Sequence, residues 1–293
     1  MPSQPPRLQP VLVADAPALQ GLVGALAGES AIALDTESNS FHVYRERVCL
    51  LQISTRETDW VVDPFAVDPR PLGPVLAAAP ALVLHGADYD VRCLKREYGF
   101  ALSGLFDTMA AARRLGRLGL GLSALVEEQF GVRLSKDFQR SDWGRRPLTV
   151  EQVSYAALDT HFLLPLYEVL ARELRARDLW SEAVQEFGRI AAVEPRARVF
   201  DPEGWRKMKG ARELDPAGRA VLRALWVARE ERASALDRPP FKVMPEQSMV
   251  EVARRRPHGE AELLRVPGIT TIVLRRMGEA VLAAIQSDQP PGA

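Results

Sequence analysis

The chain has 293 residues, 47% hydrophobic, 26% charged and 7% aromatic, a globular composition that excludes extensive disorder and has room for two domains or one large α/β unit. Thirty-eight Lys+Arg balance thirty-eight Asp+Glu, so no overall field drives the protein onto nucleic acid or an anionic membrane, and any such binding must be local. Cys49 and Cys93 are too few for a disulfide framework, MPSQPPRLQP has no signal-peptide architecture, and no apolar run approaches the ~18 residues of a membrane span, so the expected setting is a reducing cytoplasm.

AIALD (31–35), RVCLLQIST (47–55) and DWVVD (59–63) are short β-branched runs separated by polar turns, which predicts three neighbouring strands paired as a meander. ALVLHG (81–86) reads as a fourth strand, running into a helix on which Val91, Leu94 and Tyr98 recur at helical spacing. LGLGLSALVEEQFG (118–131) predicts a helix begun by Ser123 and closed by Gly131. From Thr149 the pattern predicts one long helix, kinked if anywhere at Pro165. Strands first and helices interleaved later describe an α/β body with a mixed sheet.

Charge then divides the chain. Residues 1–187 sum to −5, residues 188–212 to +4 and residues 213–287 to +2. The expected domains are an α/β body over 1–187, a basic linker over 188–212, a small all-helical bundle over 213–287 and a disordered tail over 288–293.

The chemistry starts with Asp35-Thr36-Glu37. Alternate strand residues share a face, so Asp35 and Glu37 present two carboxylates side by side, an arrangement that is unfavourable unless a cation or a proton neutralises it. A lone pair of this kind is more often a solvated strand end. Asp90 lies where the fourth strand gives way to helix, and Tyr155 and Asp159 share a helix face at i and i+4. The apolar residues between those two imply packing, and a carboxylate there needs a partner, either a metal or a nearby Arg.

In combination these motifs resemble the DEDD superfamily of 3′–5′ exonucleases, in the branch that carries Tyr in its last motif. ALDTES, VLHGADYDVRCL, FDTMAAARRL, GLSALVEEQFG, LSKDFQRSDWGRRPLTVEQVSYAALDTHFLLPLY and GWRKMKG look like ribonuclease D, and residues 213–287 are similar to the helicase-and-ribonuclease-D C-terminal (HRDC) domain. Ribonuclease D proteins often carry two such domains; this stretch has room for one. The resemblance implies an RNase H-like fold in which Asp35, Glu37, Asp90 and Asp159 hold two divalent ions, Mg²⁺ or Mn²⁺, and Tyr155 orients the attacking water. It also implies a 3′–5′ exoribonuclease acting on single-stranded RNA 3′ ends, with transfer RNA precursors as the substrate class, while a DNA exonuclease and a catalytically silent nucleic-acid-binding module are the competing readings.

His85 precedes Asp90 by five positions, the spacing of the last motif in the histidine branch. That assignment would need its missing acid from Asp59, Asp63 or Asp68, which look like turn residues, so His85 is expected to line the site and touch the terminal nucleotide. Lys136, Gln139, Arg140, Trp143 and Arg145, with Phe138 and Arg146 among them, form a cation-plus-aromatic segment suited to gripping phosphates and stacking bases, although Trp143 is equally suited to plugging the core. Arg254, Arg255 and Arg256 and the Val266-Pro267-Gly268 turn are a weaker phosphate signal in the helical segment.

Overall fold

The computed structural model describes residue 6, residues 8–195 and residues 199–286; the tail expected over 288–293 lies outside them. The chain divides into two units, Met1–Asn39 with Arg47–Arg196, and Ser40–Glu46 with Ala197–Ala293. The first unit is a mixed-sheet α/β body and the second is helical.

The first unit is built on one mixed sheet. Its elements run β1 (Val11–Val13), α1 (Ala16–Leu26), β2 (Ile32–Ser38), β3 (Val48–Ser54), β4 (Asp59–Val62), α2 (Gly73–Ala78), β5 (Leu82–Leu84), α3 (Asp88–Tyr98), β6 (Leu105–Asp107) and α4 (Thr108–Arg114). Four more helices follow: α5 (Leu122–Phe130), α6 (Val150–His161), α7 (Leu163–Ala176) and α8 (Trp180–Ala191). Strand order is β1-β4-β3-β2-β5-β6. The β2-β3-β4 run is the expected antiparallel meander, and the remaining pairs are parallel. Ile32, Ala33, Leu34, Leu50, Leu51 and Ile53 are sealed from solvent, because β2 and β3 lie inside the sheet with helices over both faces.

Several expectations change in detail. β1 and β6 were not anticipated; each has three residues, as β5 does, but β5 stands in the apolar run ALVLHG whereas β6 ends on Asp107 and β1 lies between a Pro-rich start and the Asp-capped α1. Gly121, not Ser123, caps α5, and the Ser123 hydroxyl donates instead to the Leu134 carbonyl; Gly131 closes the helix at φ 66° as expected. The long helix is two helices that break at Phe162. Pro165 explains the break: it has no N–H for the carbonyl of His161, and its ring crowds that carbonyl.

Residues 188–212 are not an extended connector among the described residues. α8 continues through Ala191, and Trp205, Met208 and Ala211 are buried in the second unit's core with Val221, Leu225, Met249 and Met277. The apolar residues of that stretch outweigh its basic character. This unit contains α9 (Pro216–Ala235), α10 (Pro240–Val243), α11 (Glu246–Arg255), α12 (Glu260–Leu263) and α13 (Thr271–Gln286). It also takes in the segment between β2 and β3, where the Tyr44 N–H donates to Asp237 at 3.0 Å and the Tyr44 hydroxyl to Glu230 at 2.7 Å. Arg254 and Arg255 pair with Glu251, and Arg256 pairs with Asp215 at 2.9 Å, so the triple arginine is engaged within its own unit.

One turn beside β6 requires glycine. Gly104 sits at φ 64°, and a Cβ there would lie 2.8 Å from the carbonyl oxygens of Ala79 and Pro80. Gly104→Ala is therefore expected to lower the thermal midpoint by at least roughly 2–4 °C, the shift produced by a destabilisation of about 1 kcal/mol in a domain of this size. An unchanged midpoint in a calorimetric scan would mean that the turn yields freely.

Candidate active site

Three elements carry the candidate groups. β2 supplies Asp35 and Glu37 on one face by strand alternation. α3 supplies Asp90 from its first turn, and its approach is fixed by Asp107, the N-cap of α4. One Asp107 carboxylate accepts from the N–H groups of Gly86, Ala87, Met109 and Ala110, tying the start of α3 to the start of α4. Asp90 is held in turn by the Thr36 hydroxyl, which donates to Oδ1 at 2.5 Å.

α6 supplies Tyr155 and Asp159. A capping box starts it: Gln152 N–H donates to Thr149 Oγ1, and Thr149 N–H to Gln152 Oε1. Ala156 and Ala157 are fully buried, and Thr160 meets Ser54 of β3 at 2.6 Å, so the helix lies close on the sheet. Tyr155 is bracketed by Phe138 and Trp143, with ring centroids 5.5 and 6.2 Å away.

The electrostatics show that the four carboxylates converge. Burial, then the charges of Asp90, Asp159 and Glu37, raise Asp35 well above the usual carboxylate range. Burial and the charges of Asp159 and Asp90 push Glu37 up to about 9. Asp159 is pushed to about 7 by burial and Asp90, whereas Asp90, raised by burial but relieved by the Thr36 hydrogen bond, reaches about 6. The Tyr155 phenol is raised by burial and then by Asp159, Glu37 and Asp35, so it stays protonated.

Such a set of crowded, mutually repelling oxygens, buried at Asp90 and half-buried at Asp35, Glu37 and Asp159, fits a hard divalent cation, because positive charge relieves every one of those shifts at once. Among the described residues no three His, Cys, Asp or Glu side chains stand in ready-made ligating geometry. The acids thus face a common region without forming a finished cage.

The remaining expected residues separate. The Thr108 hydroxyl donates to the Leu84 carbonyl, so it must accept from His85 Nδ1–H, which leaves His85 Nε2 a buried acceptor without a partner. Burial lowers His85 to about 4, so the ring is neutral. Lys136, Gln139, Arg140 and Arg145 are exposed on the loop before α6, Arg145 bridging to Asp142 at 3.1 Å. Trp143 is 1% exposed and cannot stack a base; it is a core plug that backs Tyr155. Arg146 is also structural, with two nitrogens on Asp63 and donations to the carbonyls of Trp143 and Cys49. Asp59, Asp63 and Asp68 have local work: Asp59 holds Ser54 and His161, Asp63 holds Arg146, and Asp68 holds Arg70. None of them supplies the acid that a histidine-branch site would need. The helix-capping role of Asp107 was foreshadowed by the Asp-Thr step before a helical run, but the Thr36 contact has no such signal.

A mixed sheet that delivers two carboxylates from one strand, a third from a following helix and a Tyr/Asp pair from a packed helix defines a nuclease-type catalytic body. A family model described as 3′-5′ exonuclease matches residues 10–175, and one described as HRDC domain matches residues 218–285. Ribonuclease D of Pseudomonas paraeruginosa is 34% identical over 261 residues, covering 87% of this chain and 68% of that protein. The catalytic core of RRP6 from Trypanosoma brucei superposes with a TM-score of 0.84 at 29% identity, covering 98% of this chain and 82% of that one. Escherichia coli RNase D, described as an exoribonuclease involved in structured RNA processing, gives a TM-score of 0.73 at 30% identity over 97% of this chain and 76% of that one. The chain belongs to the ribonuclease D family of 3′–5′ exoribonucleases. It spans 27–45% of the length of the RRP6-like and exosome proteins that it also matches.

The raised carboxylates set a pH dependence whose sign is fixed. Their folded values exceed the unfolded range near 4, so between about pH 4 and 9 the folded state binds more protons than the unfolded chain and stability falls as pH rises. Metal-free protein should therefore melt progressively lower from pH 5 to pH 9, and added Mn²⁺ should flatten that slope by binding only the folded form. A flat profile without metal, read by differential scanning fluorimetry in chelated buffers, would mean that the four acids do not burden one another. Trp143→Ala should cost about 3–5 kcal/mol in urea denaturation, as for other large core truncations, and a cost below about 1 kcal/mol would contradict its role as a core plug.

Proposed function

We propose that this chain is a divalent-cation-dependent 3′–5′ exoribonuclease that releases nucleoside 5′-monophosphates from single-stranded RNA 3′ ends, with transfer RNA and other structured-RNA precursors as its substrates. The observation that carries this reading is the convergence of Asp35, Glu37, Asp90 and Asp159 with Tyr155 in a member of this family. Asp35, Glu37, Asp90 and Asp159 would hold the ions. When bound, the ions supply an activated water and stabilise the leaving 3′-oxygen.

The chain's own residues do the rest. The protonated Tyr155 phenol is a poor base at neutral pH and orients the attacking water by hydrogen bonding. Thr36 keeps Asp90 aimed, and Phe138 with Trp143 fixes the Tyr155 ring. Lys136, Gln139, Arg140 and Arg145 offer exposed polar and cationic groups to the phosphates of an incoming strand. His85, neutral and acceptor-only at Nε2, suits a hydroxyl of the terminal ribose. The HRDC-type region would extend binding to longer or folded RNA, and free, buried Cys49 and Cys93 are compatible with a reducing cytoplasm. No helix among the described residues is long and apolar enough to cross a membrane.

Matched 3′-labelled and 5′-labelled RNA and DNA strands, digested with Mn²⁺, test this reading. RNA should shorten one nucleotide at a time from a free 3′-OH and DNA more slowly, with all activity lost in excess EDTA. Early internal fragments, or full activity in EDTA, would overturn it. Asp35→Asn should abolish hydrolysis, and Tyr155→Phe should lose roughly 10²-fold in kcat while retaining RNA binding, the size expected for misplacing a reactant. An unchanged rate in Asp159→Asn would remove α6 from the site.

A further inference from the structure

Gln52 is a buried polar residue that neither the fold nor the proposed chemistry uses. It lies in the middle of β3, is 0% exposed, and neither its Oε1 nor its Nε2 has a hydrogen-bond partner. The side chains around it are not short of partners: two residues on, Ser54 bonds both Asp59 and Thr160. An unpaired carboxamide in a sealed interior is costly, since it has given up its water for nothing. An apolar side chain of the same length would serve the core better.

Sheet register places this amide. β2 and β3 are antiparallel, and the residue opposite Gln52 is Asp35. Directly opposed residues on antiparallel strands project to the same face with Cβ atoms about 4.5–5.5 Å apart, so Gln52 is the lateral neighbour of a carboxylate assigned to the cation site. On its other side Gln52 is opposed by Val61, which has nothing polar to offer. Register also puts Leu50 and Ser54 on that face, and α6 covers them through Ala156, Ala157 and Thr160.

Asp35 is the polar group that register sets beside this amide, on the β2 face that also carries Glu37. Holding a cation, it would turn lone pairs toward the ion and leave others inside the protein, where a donor that adds no charge stabilises the anion. We propose that Gln52 is a positioning residue for the cation site, its Nε2–H donating to the Asp35 carboxylate when that carboxylate holds a cation. The assignment rests on the reading of Asp35 as a cation ligand.

Gln52→Met, which keeps length and removes both polar atoms, separates this role from a packing role. Metal-free Gln52→Met should melt at or above the wild-type temperature, since an unsatisfied group has been replaced by an apolar one. Its Mn²⁺ affinity, measured by calorimetry with Mn²⁺ alone, should fall about 10-fold, within the 10–100-fold range of ligand-orienting residues, and kcat should fall with it while the KM for a short RNA holds. Gln52→Asn, which retains the amide, should recover part of the Mn²⁺ affinity. Equal Mn²⁺ affinity in wild type and Gln52→Met would overturn the inference while leaving the cation site intact. A metal-free variant that melts well below wild type would overturn it by showing that the amide is already paired. Wild-type protein that binds no Mn²⁺ would overturn the site and the inference together.

Discussion

Four carboxylates that repel one another inside a folded protein are the constraint around which this molecule is arranged. Any one of them could be placed at modest cost at a strand end or in the first turn of a helix. Brought together and at least half-buried, they raise one another's proton affinity, and Glu37 reaches about 9. The cation-free fold thus carries a local instability that protons relieve in part and a divalent cation would relieve more fully. Stability and function oppose each other at this point, which is the usual relation between a strained site and its scaffold.

The scaffold meets that cost with devices that are individually ordinary. Asp107 gathers four backbone N–H groups and so fixes the turn that delivers Asp90. The Thr149–Gln152 capping box begins α6 at the register that brings Tyr155 and Asp159 to the sheet. Asp63 and Arg146 pin the loop that contains Trp143, and Trp143 in turn backs Tyr155. Each is a hydrogen-bonded charge or cap far more rigid than an exposed ion pair such as Arg145–Asp142. Positional accuracy at the site is therefore inherited from the ends of α3, α4 and α6.

The proposed catalytic set was picked out by the family resemblance of its motifs; the short-range spacings alone, i and i+2 on a strand, i and i+4 on a helix and a carboxylate just past an apolar run, fit a solvated strand end and a capping or Arg-paired Asp equally well. The three central strands and the helical C-terminal region were legible by period. What could not be read was exposure. Trp143 and Arg146 have the composition of a nucleic-acid grip, yet one is a core plug and the other a clamp on Asp63, a contact across 83 positions of sequence. The stretch over 188–212 has the charge of a linker, and its Trp205, Met208 and Ala211 enter a core whose other members lie further along the chain. β1, beside a Pro-rich start, and β6, which ends on Asp107, were missed for a related reason: each is strand because a neighbouring strand is there to pair it.

Buried polar groups in this fold fall into two kinds, and the division bears on how the site evolves its precision. Ser54, Thr160, Asp63 and Asp107 are satisfied by protein partners, and their positions are explained by the elements they join. Others keep a buried polar atom unpaired; among them are the Trp143 and Trp205 indoles, whose rings belong to the cores, and Gln52 and His85, one opposite Asp35 across the sheet and the other five residues before Asp90. If Gln52 and His85 were packing residues, apolar side chains of the same size would stabilise the fold, and the neutral His85 ring would gain nothing from its fixed tautomer. Unpaired atoms beside proposed ligands are better explained by partners that arrive with the substrate and its ions. On that reasoning the unpaired atoms of Gln52 and His85 belong with the crowded acids of β2: each is a group whose position the packing of the polypeptide alone does not explain.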